Sequence, residues 1–214
     1  WFRTQKYYDS GSWRGTWDGE GGGVLINQAP HSLDLFQWIG LGLPKSIHAM
    51  LATREHKIEV EDTANVLCDY GDGRYGYIYA TTAEEPGYEQ LMISGDKGTL
   101  VVEGHSVRLG KLKMPVKKHI YGSKSAMGGG VEQKTTWKEV KVPQRKSGHI
   151  EVARRFAAWV LRGKAPVATA EEAINELAIS NAAYISGFKG KTVTLPPDGA
   201  EMDRLLAKLE RERS

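Results

Sequence analysis

Residues 21–34 read Gly-Gly-Gly-Val-Leu-Ile-Asn-Gln-Ala-Pro-His-Ser-Leu-Asp, and this stretch predicts a glycine-rich approach followed by a helix. The glycines let the backbone pass close to a ligand or to another segment. Asn27 and His31 are four residues apart, so an α-helix would place both side chains on one face. Because proline is tolerated in a first helical turn and asparagine is a good cap, the helix is predicted to begin near Asn27, just before Pro30. The apolar residues that follow predict that this helix is buried.

His31 and Asn27 are the candidate catalytic residues of this stretch. An imidazole can exchange a proton near neutral pH, whereas a neutral amide can only orient its neighbours by hydrogen bonds. Asp34, three residues after His31, is a candidate to orient the imidazole, with a structural cap or surface bond as the alternative. The alternative for His31 itself is a hydrogen-bonded structural histidine. No chemistry is assigned to the remaining histidines, which fall in predicted strands or loops without partners: His48, His56, His105, His119 and His149.

Alternation of apolar and polar residues predicts β-strands from residue 46 onward. The predicted strands cover residues 46–53, 62–70, 74–82, 89–94, 99–103, 107–112 and 137–142. Gly71-Asp72-Gly73 predicts a hairpin turn that leaves Tyr75, Tyr77 and Tyr79 on one face of the returning strand. Glycines at 128–130 predict a loop.

Helical spacing of apolar residues predicts two helices between residues 148 and 186, ended by Gly163 and Gly187. Thr169 and Glu172 form a predicted capping box at the start of the second helix. A short strand at 192–195 and a charged helix at 199–211 complete the chain. The predicted class is therefore α+β, with one large, mainly antiparallel sheet that has helices on one face, as a single domain over residues 1–214.

Composition limits the classes of protein to consider. The chain has 214 residues, a formal net charge of +3 and scattered basic residues, which does not indicate nucleic-acid binding. Cys68 is the only cysteine, so the sequence contains no disulfide framework and no zinc-ligand spacing. No apolar segment approaches the roughly 20 residues of a membrane span, and no signal peptide is visible. A cytoplasmic location is the resulting expectation.

The amino-terminal residues 1–20 are rich in aromatic and arginine side chains. Aromatic rings beside arginine can stack on a sugar or bind an anion, so Arg14, Tyr8 and Trp17 are the candidate substrate-binding residues. Packing of these rings against the domain is the alternative, because large aromatic side chains mostly serve burial. The chain begins at Trp1 without an initiator methionine, which we interpret as a start inside a longer protein.

Several segments, in order, resemble the carboxy-terminal domain of the glucose-fructose oxidoreductase, inositol dehydrogenase and MocA (Gfo/Idh/MocA) family. The segments that carry the resemblance are Trp13–Trp17, Gly21–Asp34, Val60–Ala64, Glu85–Gly87, Gly95–Leu100 and the late helices from His149 to Ala183. The resemblance covers nearly the whole chain and rests on the order of these pieces rather than on any one of them. It implies the substrate-binding and oligomerisation half of a two-domain oxidoreductase whose dinucleotide-binding half is absent from this chain.

The resemblance also implies a function and a set of partners. The expected activity is hydride transfer to or from a secondary alcohol carbon of a sugar, polyol or related compound. NAD or NADP is expected in the complete enzyme, and neither is expected to bind this fragment alone, because no G-x-G-x-x-G follows a strand. His31 matches the family's histidine, whereas Asn27 stands where aspartate is common, which puts a proton relay in doubt. A non-catalytic carbohydrate-binding or oligomerisation module is the alternative function. The expected partners are a small-molecule substrate and further copies of the chain, bound through the open sheet face, with no nucleic acid and no membrane.

Overall fold

The computed structural model describes residues 1–40, 42–127, 133–142, 148–166 and 168–213. The helices are α1 (Gln5–Tyr8), α2 (Trp17–Glu20), α3 (Pro30–Ile39), α4 (Val116–Gly122), α5 (His149–Arg162), α6 (Ala170–Lys189) and α7 (Gly199–Arg213). The strands are β1 (Ser46–Ala52), β2 (Thr63–Asp69), β3 (Tyr75–Thr81), β4 (Gln90–Gly95), β5 (Gly98–Glu103), β6 (Ser106–Leu112), β7 (Thr135–Glu139) and β8 (Val193–Thr194). A π-helical turn, Val24–Gln28, precedes α3.

The predicted α+β class with antiparallel strands is confirmed, but the strands of the described residues form two four-stranded sheets in place of one large sheet. Their strand orders are β3-β2-β1-β8 and β4-β5-β6-β7. Alternation along a strand fixes which face is buried, but it does not specify which strand edges of successive hairpins join. By contacts the chain divides into two compact units, residues 1–87 with 165–214, and residues 88–164. The single domain predicted over residues 1–214 stays a prediction beside this division.

The first unit contains the principal core. Helix α6 packs on β1, and its residues from Ala178 to Ser186 are mostly buried. In β1, Ile47 and Ala49 point into the core, whereas His48 and Met50 are exposed. The opposite face of this sheet is therefore open among the described residues, as the period-two pattern requires.

The predicted arrangement of the β2–β3 hairpin is confirmed. Tyr75, Tyr77 and Tyr79 are exposed on one face of β3, and Ala80 on the other face is buried. Leu67 of β2 lies directly opposite Tyr77 in the register and is 58% exposed. The exposed apolar and aromatic side chains on this side of the sheet, with His48 and Asn65 lying among them, are here called the tyrosine face: Met50, Leu67, Tyr75, Tyr77 and Tyr79.

Helix α6 begins as predicted and ends later than predicted. Thr169 accepts from the N–H of Glu172, and the Glu172 side chain accepts from the Thr169 N–H, which confirms the capping box. The helix continues through Gly187 to Lys189, and Gly190, at φ +60°, supplies the left-handed cap. Gly187 is needed for packing, because a Cβ there would lie 2.6 Å from Cγ of Leu51.

The second unit contains the hairpins of β4, β5, β6 and β7 together with α4 and α5. The turn at Asp96-Lys97 joins β4 to β5 in register from Gly95↔Gly98 to Gln90↔Glu103, as the sequence predicts. The loop predicted at glycines 128–130 lies outside the described residues. Over the described part of the chain, no helix combines the length and the apolar character that a membrane crossing needs.

Candidate functional site

The segment from Gly23 to His31 is not one α-helix. Val24–Gln28 forms a π-helical turn in which the Ala29 N–H donates to the Val24 carbonyl at 2.8 Å. Pro30 then occupies the first position of α3, as predicted, but its N-cap is Ala29, which makes no side-chain capping bond. Because Pro30 has no N–H for the carbonyl four residues back, the α-helical ladder is interrupted there. The prediction that Asn27 caps a helix carrying both candidates on one face is therefore wrong.

The start of the π-helical turn is bound to Glu61. The Glu61 carboxyl accepts from the N–H of Gly23 and of Leu25, each at 3.0 Å, and from the Tyr184 hydroxyl at 2.8 Å. Burial raises the pKa of Glu61 to about 7, although these hydrogen bonds act in the opposite direction.

Asn27 lies half-buried at the centre of a polar group, here called the Asn27 cluster: Arg3, Tyr7, Arg14, Glu20, Asn27 and Gln28. The Asn27 amide nitrogen donates to Glu20, and its oxygen accepts from the Tyr7 hydroxyl at 3.2 Å and from the Gln28 amide. Helix α1 supplies Tyr7, α2 supplies Glu20, and the π-helical turn supplies Asn27. Three short elements therefore meet at this one amide.

Two arginines complete the Asn27 cluster. Arg14 donates to the Tyr7 hydroxyl at 2.6 Å, and its guanidinium lies 4.4 Å from the Tyr7 ring centroid. Arg3 donates to the Gln28 amide oxygen. Since Glu20 is the one acid among these six residues, the cluster carries an excess of positive charge when Glu20 is ionised.

Glu20 supplies the carboxyl group that Asn27 lacks. Its second oxygen accepts from the Gly15 N–H at 2.7 Å. Burial raises the pKa of Glu20 above its ordinary value, while the Gly15 N–H, Arg14 and Asn27 oppose that shift. The Glu20 carboxyl beside Asn27 therefore binds a proton more readily than the carboxyl of a surface glutamate does.

His31 lies one residue inside α3 and is exposed. No hydrogen bond joins it to Asn27 within the described segments. Asp34 accepts from the Gln37 side chain at 2.9 Å, and no hydrogen bond between Asp34 and His31 is present among the described residues. The predicted burial of α3 is also wrong: Leu33 and Gln37 are buried, but Trp38 is 72% exposed, and Leu35 and Ile39 are exposed beside it.

The predicted substrate-binding residues fall in different places. Arg14 belongs to the Asn27 cluster. Tyr8 is buried with its hydroxyl 2.8 Å from Thr82 Oγ1, although its ring lines a surface pocket of about 320 Å³ together with Arg14. Trp17 is 2% exposed and packs edge-on against Tyr184 and Phe188, which fits the packing alternative for this ring. Neither Asn27 nor His31 lines that pocket.

Sequence reasoning missed four members of the cluster: Arg3, Tyr7, Glu20 and Gln28. The signals available were a second tyrosine beside Tyr8 and an acid directly before the glycine run. The prediction that His56 has no partner is wrong, because its Nδ1 lies 3.0 Å from Asp62 and its Nε2 lies 2.8 Å from the Arg3 carbonyl. The side chains of His56 and Asp62 are 7% and 0% exposed, so this pair anchors the amino-terminal segment.

The glycine run at 21–23 does not fit a dinucleotide phosphate. Gly23 and the two residues after it donate their N–H groups to Glu61, whose carboxylate already occupies the position of an anion. The residues described here thus offer no cradle for the pyrophosphate of NAD or NADP at this run. No group of three or more histidine, cysteine, aspartate or glutamate side chains in the described segments could hold a metal ion.

Solved structures similar to this chain include bacterial dehydrogenases and an aldose-aldose oxidoreductase. The WlbA dehydrogenase from Bordetella pertussis, in complex with NADH and UDP-GlcNAcA, is 28% identical at a TM-score of 0.68, over 92% of this chain and 53% of that chain. The Chromobacterium violaceum WlbA, in the same complex, is 29% identical at a TM-score of 0.70, with the same shares covered. An aldose-aldose oxidoreductase from Caulobacter crescentus complexed with glycerol shows the same fold at 19% identity and a TM-score of 0.66, over 86% of this chain and 51% of that chain.

The chain spans about half the length of these proteins. No curated protein sequence matches it. The sequence model of the GFO/IDH/MocA C-terminal domain matches residues 1–101. That match covers the glycine run, the Asn27 cluster and the tyrosine face. By sequence over residues 1–101, and by fold over nearly all of its length, the chain is thus similar to the C-terminal domains of the Gfo/Idh/MocA oxidoreductases.

Proposed function

We propose that this chain is the substrate-binding half of an NAD(P)-dependent oxidoreductase that acts on a secondary alcohol carbon of a sugar, polyol or related compound. The observation that supports this most directly is the likeness, at 28–29% identity over 92% of the chain, to dehydrogenases solved with NADH and UDP-GlcNAcA. The cofactor, NAD or NADP, would be bound by a dinucleotide-binding half in the complete enzyme, since the glycine run here is engaged by Glu61.

In this proposal His31 acts as the general base. Its ring is exposed on the first turn of α3, where it can accept the hydroxyl proton that must leave as a carbonyl forms. Asn27 orients a substrate hydroxyl by hydrogen bonds, and Glu20 behind it offers a carboxyl for proton exchange. Arg14 and Arg3 supply positive charge and donors to the same cluster.

The substrate class to test first is a sugar that carries negative charge. Two arginines against one glutamate leave the Asn27 cluster positively charged, and the relatives of highest identity named above were solved with UDP-GlcNAcA. We therefore expect turnover of UDP-GlcNAcA to exceed that of an uncharged sugar such as levoglucosan in the complete enzyme.

The experiment that tests the proposal is a comparison of His31→Ala with His105→Ala in the complete enzyme. Removing the base should slow turnover by about 100-fold or more, because positioned general bases contribute factors of this size. His105 is exposed in a different compact unit, so its variant should keep the parent rate. Equal rates for the two variants would remove His31 from the mechanism.

Calorimetric titration of this chain alone with NAD and NADP tests whether cofactor binding requires a separate dinucleotide-binding half. No binding is expected at concentrations where the complete enzyme binds its cofactor. Micromolar binding to this chain would contradict the proposal that a dinucleotide-binding half is needed.

Asn27, in place of the aspartate common at this position, favours the second candidate function, a non-catalytic carbohydrate-binding or oligomerisation module. The complete protein would then bind UDP-GlcNAcA or another sugar without any cofactor-dependent turnover.

We further propose that the chain forms a homo-oligomer through the open tyrosine face. We also propose that it works in the cytoplasm, where a lone cysteine such as Cys68 stays reduced.

A further inference from the structure

Glu61 is a buried acid that no step of the proposed reaction uses. It is 3% exposed, and its three side-chain hydrogen bonds all come from groups that hold no charge: two backbone N–H groups and the Tyr184 hydroxyl. No lysine or arginine of the described segments forms an ion pair with it. A buried carboxylate without a cation is costly, so its place in the fold calls for a specific role.

The Glu61 contacts are concentrated on one end of the π-helical turn. Three successive N–H groups, those of Gly23, Val24 and Leu25, donate to Glu61: the middle one to its backbone carbonyl at 3.0 Å, the outer two to its carboxyl. The first N–H groups of a helical segment have no partner within the segment, so Glu61 satisfies them from outside.

The glycines before this turn permit the contact. A Cβ on Gly23 would lie 1.8 Å from the Glu61 carbonyl oxygen, and a Cβ on Gly22 would lie 2.3 Å from the Tyr184 hydroxyl. Both distances are far below any real contact. The glycine run therefore serves close approach to Glu61 and Tyr184.

Tyr184 and Trp17 form the wall behind the carboxyl. The Tyr184 ring is fully buried, and its hydroxyl both donates to Glu61 and accepts from the Gly23 N–H at 3.2 Å. The Trp17 ring packs edge-on against Tyr184 with 5.7 Å between ring centroids. This packing prevents Tyr184 from swinging away from Glu61.

Asn27 is connected to this anchor through two backbone bonds. Its N–H donates to the Gly23 carbonyl at 2.9 Å, and two residues further along the Ala29 N–H donates to the Val24 carbonyl at 2.8 Å. With Gly23 and Val24 fixed on Glu61, the backbone of Asn27 is fixed as well. Its side chain then reaches Glu20 on one side and Tyr7 on the other.

We propose that Glu61 and Tyr184 are positioning residues that hold the π-helical turn so that the Asn27 amide meets Glu20 and Tyr7, an inference that rests on the proposed function for its catalytic meaning. Neither residue touches the substrate in this proposal. They hold the backbone of the π-helical turn, and the turn in turn fixes the position of the Asn27 side-chain amide.

The test compares Glu61→Gln and Tyr184→Phe with Ser186→Ala in this chain, by NMR. A glutamine offers one acceptor oxygen and places an NH₂ donor against a backbone N–H, so the bond to Gly23 or Leu25 is lost. Ser186 is a matched control, because it is buried on the same helix and its hydroxyl bonds Ala49 N–H and the Lys191 carbonyl, away from the turn. The signals to follow are the backbone amides of Gly23 and Leu25 and the side-chain amide of Asn27.

In both test variants we expect amide exchange at Gly23 or Leu25 to accelerate by about tenfold or more, and the Asn27 side-chain amide signals to move or broaden. Ser186→Ala should leave all of these signals in place. An Asn27 amide that is unchanged while the Gly23 and Leu25 amides lose protection would overturn the proposal. If Glu61→Gln does not fold, Tyr184→Phe alone tests the proposal, because this variant keeps the Glu61 carboxyl and removes one of its three hydrogen-bond donors.

In the complete enzyme, the same variants should lower kcat by about tenfold with little change in KM for the cofactor, whereas Ser186→Ala should leave both constants unchanged. The NMR result stands without any activity. Failure of the positioning role is therefore distinguishable from failure of the proposed function, which the His31→Ala comparison tests.

Discussion

Glu176 of α6 lies close enough to Asp34 of α3 for the two carboxyl groups to repel each other. Burial is the larger cause and Asp34 the second, and together they raise the pKa of Glu176 to about 7. A carboxyl whose folded-state pKa is above its ordinary value of 4.5 favours the folded state when it is protonated. Its contribution to stability is therefore present below pH 4.5 and is lost as the pH rises toward about 7.

Glu176→Gln tests this linkage. The variant should be more stable than the parent at pH 8 and nearly equal to it at pH 5, as measured by urea unfolding at both values. In an Asp34→Asn background the gain at pH 8 should be smaller, because the repulsion from Asp34 has been removed. A gain of equal size at pH 5 and pH 8 would show that charge is not its cause.

The individual site residues were predictable where their chemistry is local. Asn27 and Arg14 were identified from residue type and spacing, and the structure places both in one polar cluster. Glu20 and Tyr7 could not be identified in this way, because their contact with Asn27 is made between three elements whose packing is not encoded in spacing. Trp17 was a candidate for substrate binding with packing as the alternative, and its burial fits the packing alternative.

At the scale of elements, contacts at Gly187 predict that alanine is destabilising there, whereas helix propensity alone predicts that alanine is stabilising. Alanine favours a helix interior over glycine by about 1 kcal/mol. A Cβ at Gly187 would nevertheless lie 2.6 Å from Cγ of Leu51. Since overpacking a core costs about 1–3 kcal/mol, we expect Gly187→Ala to lower the free energy of unfolding.

Gly199→Ala is the control for this change. Gly199 opens α7 in the same compact unit, and a Cβ there would meet nothing within 4 Å. Its variant should be neutral or slightly stabilising in the same denaturant titration. The penalty at Gly187 should shrink when Leu51 is also changed to alanine, and a full penalty in that double variant would point to a cause other than this contact.

Elements with local signals were predicted closely. The capping box of Thr169 and Glu172, the left-handed cap at Gly163 and the β2–β3 hairpin all formed as expected. The π-helical turn was not predicted, and the Glu61 carboxyl that accepts from its first N–H groups is more than thirty residues away in sequence. The glycine run was noted for close approach, but the partner that approaches it is set by tertiary contacts.

At the scale of the whole molecule, the α+β class was predictable and the division of strands was not. Burial alternates along β1 and β3, and the sequence identified the exposed tyrosine side of β3. Which hairpins join into one sheet depends on edge pairing, which alternation does not encode. The same limit explains α3: its apolar residues predicted burial, yet the pattern cannot state whether this chain or a partner covers Trp38.

The tyrosine face carries the last prediction, which concerns assembly. Exposed apolar and aromatic side chains on a regular sheet surface are typical of interfaces, and we expect the chain to self-associate through this face. Leu67→Lys places a charge opposite Tyr77 without disturbing the core, because Leu67 is already 58% exposed.

Sedimentation velocity on the parent, on Leu67→Lys and on Val152→Lys checks this expectation. Val152 is a matched control, since it is 57% exposed on α5 in the other compact unit. The parent and Val152→Lys should sediment as the same oligomer, whereas Leu67→Lys should shift toward monomer, because burying an unpaired lysine at an interface is costly. A parent that is monomeric over the concentration range, or an oligomer that survives Leu67→Lys, would place the interface elsewhere or exclude it.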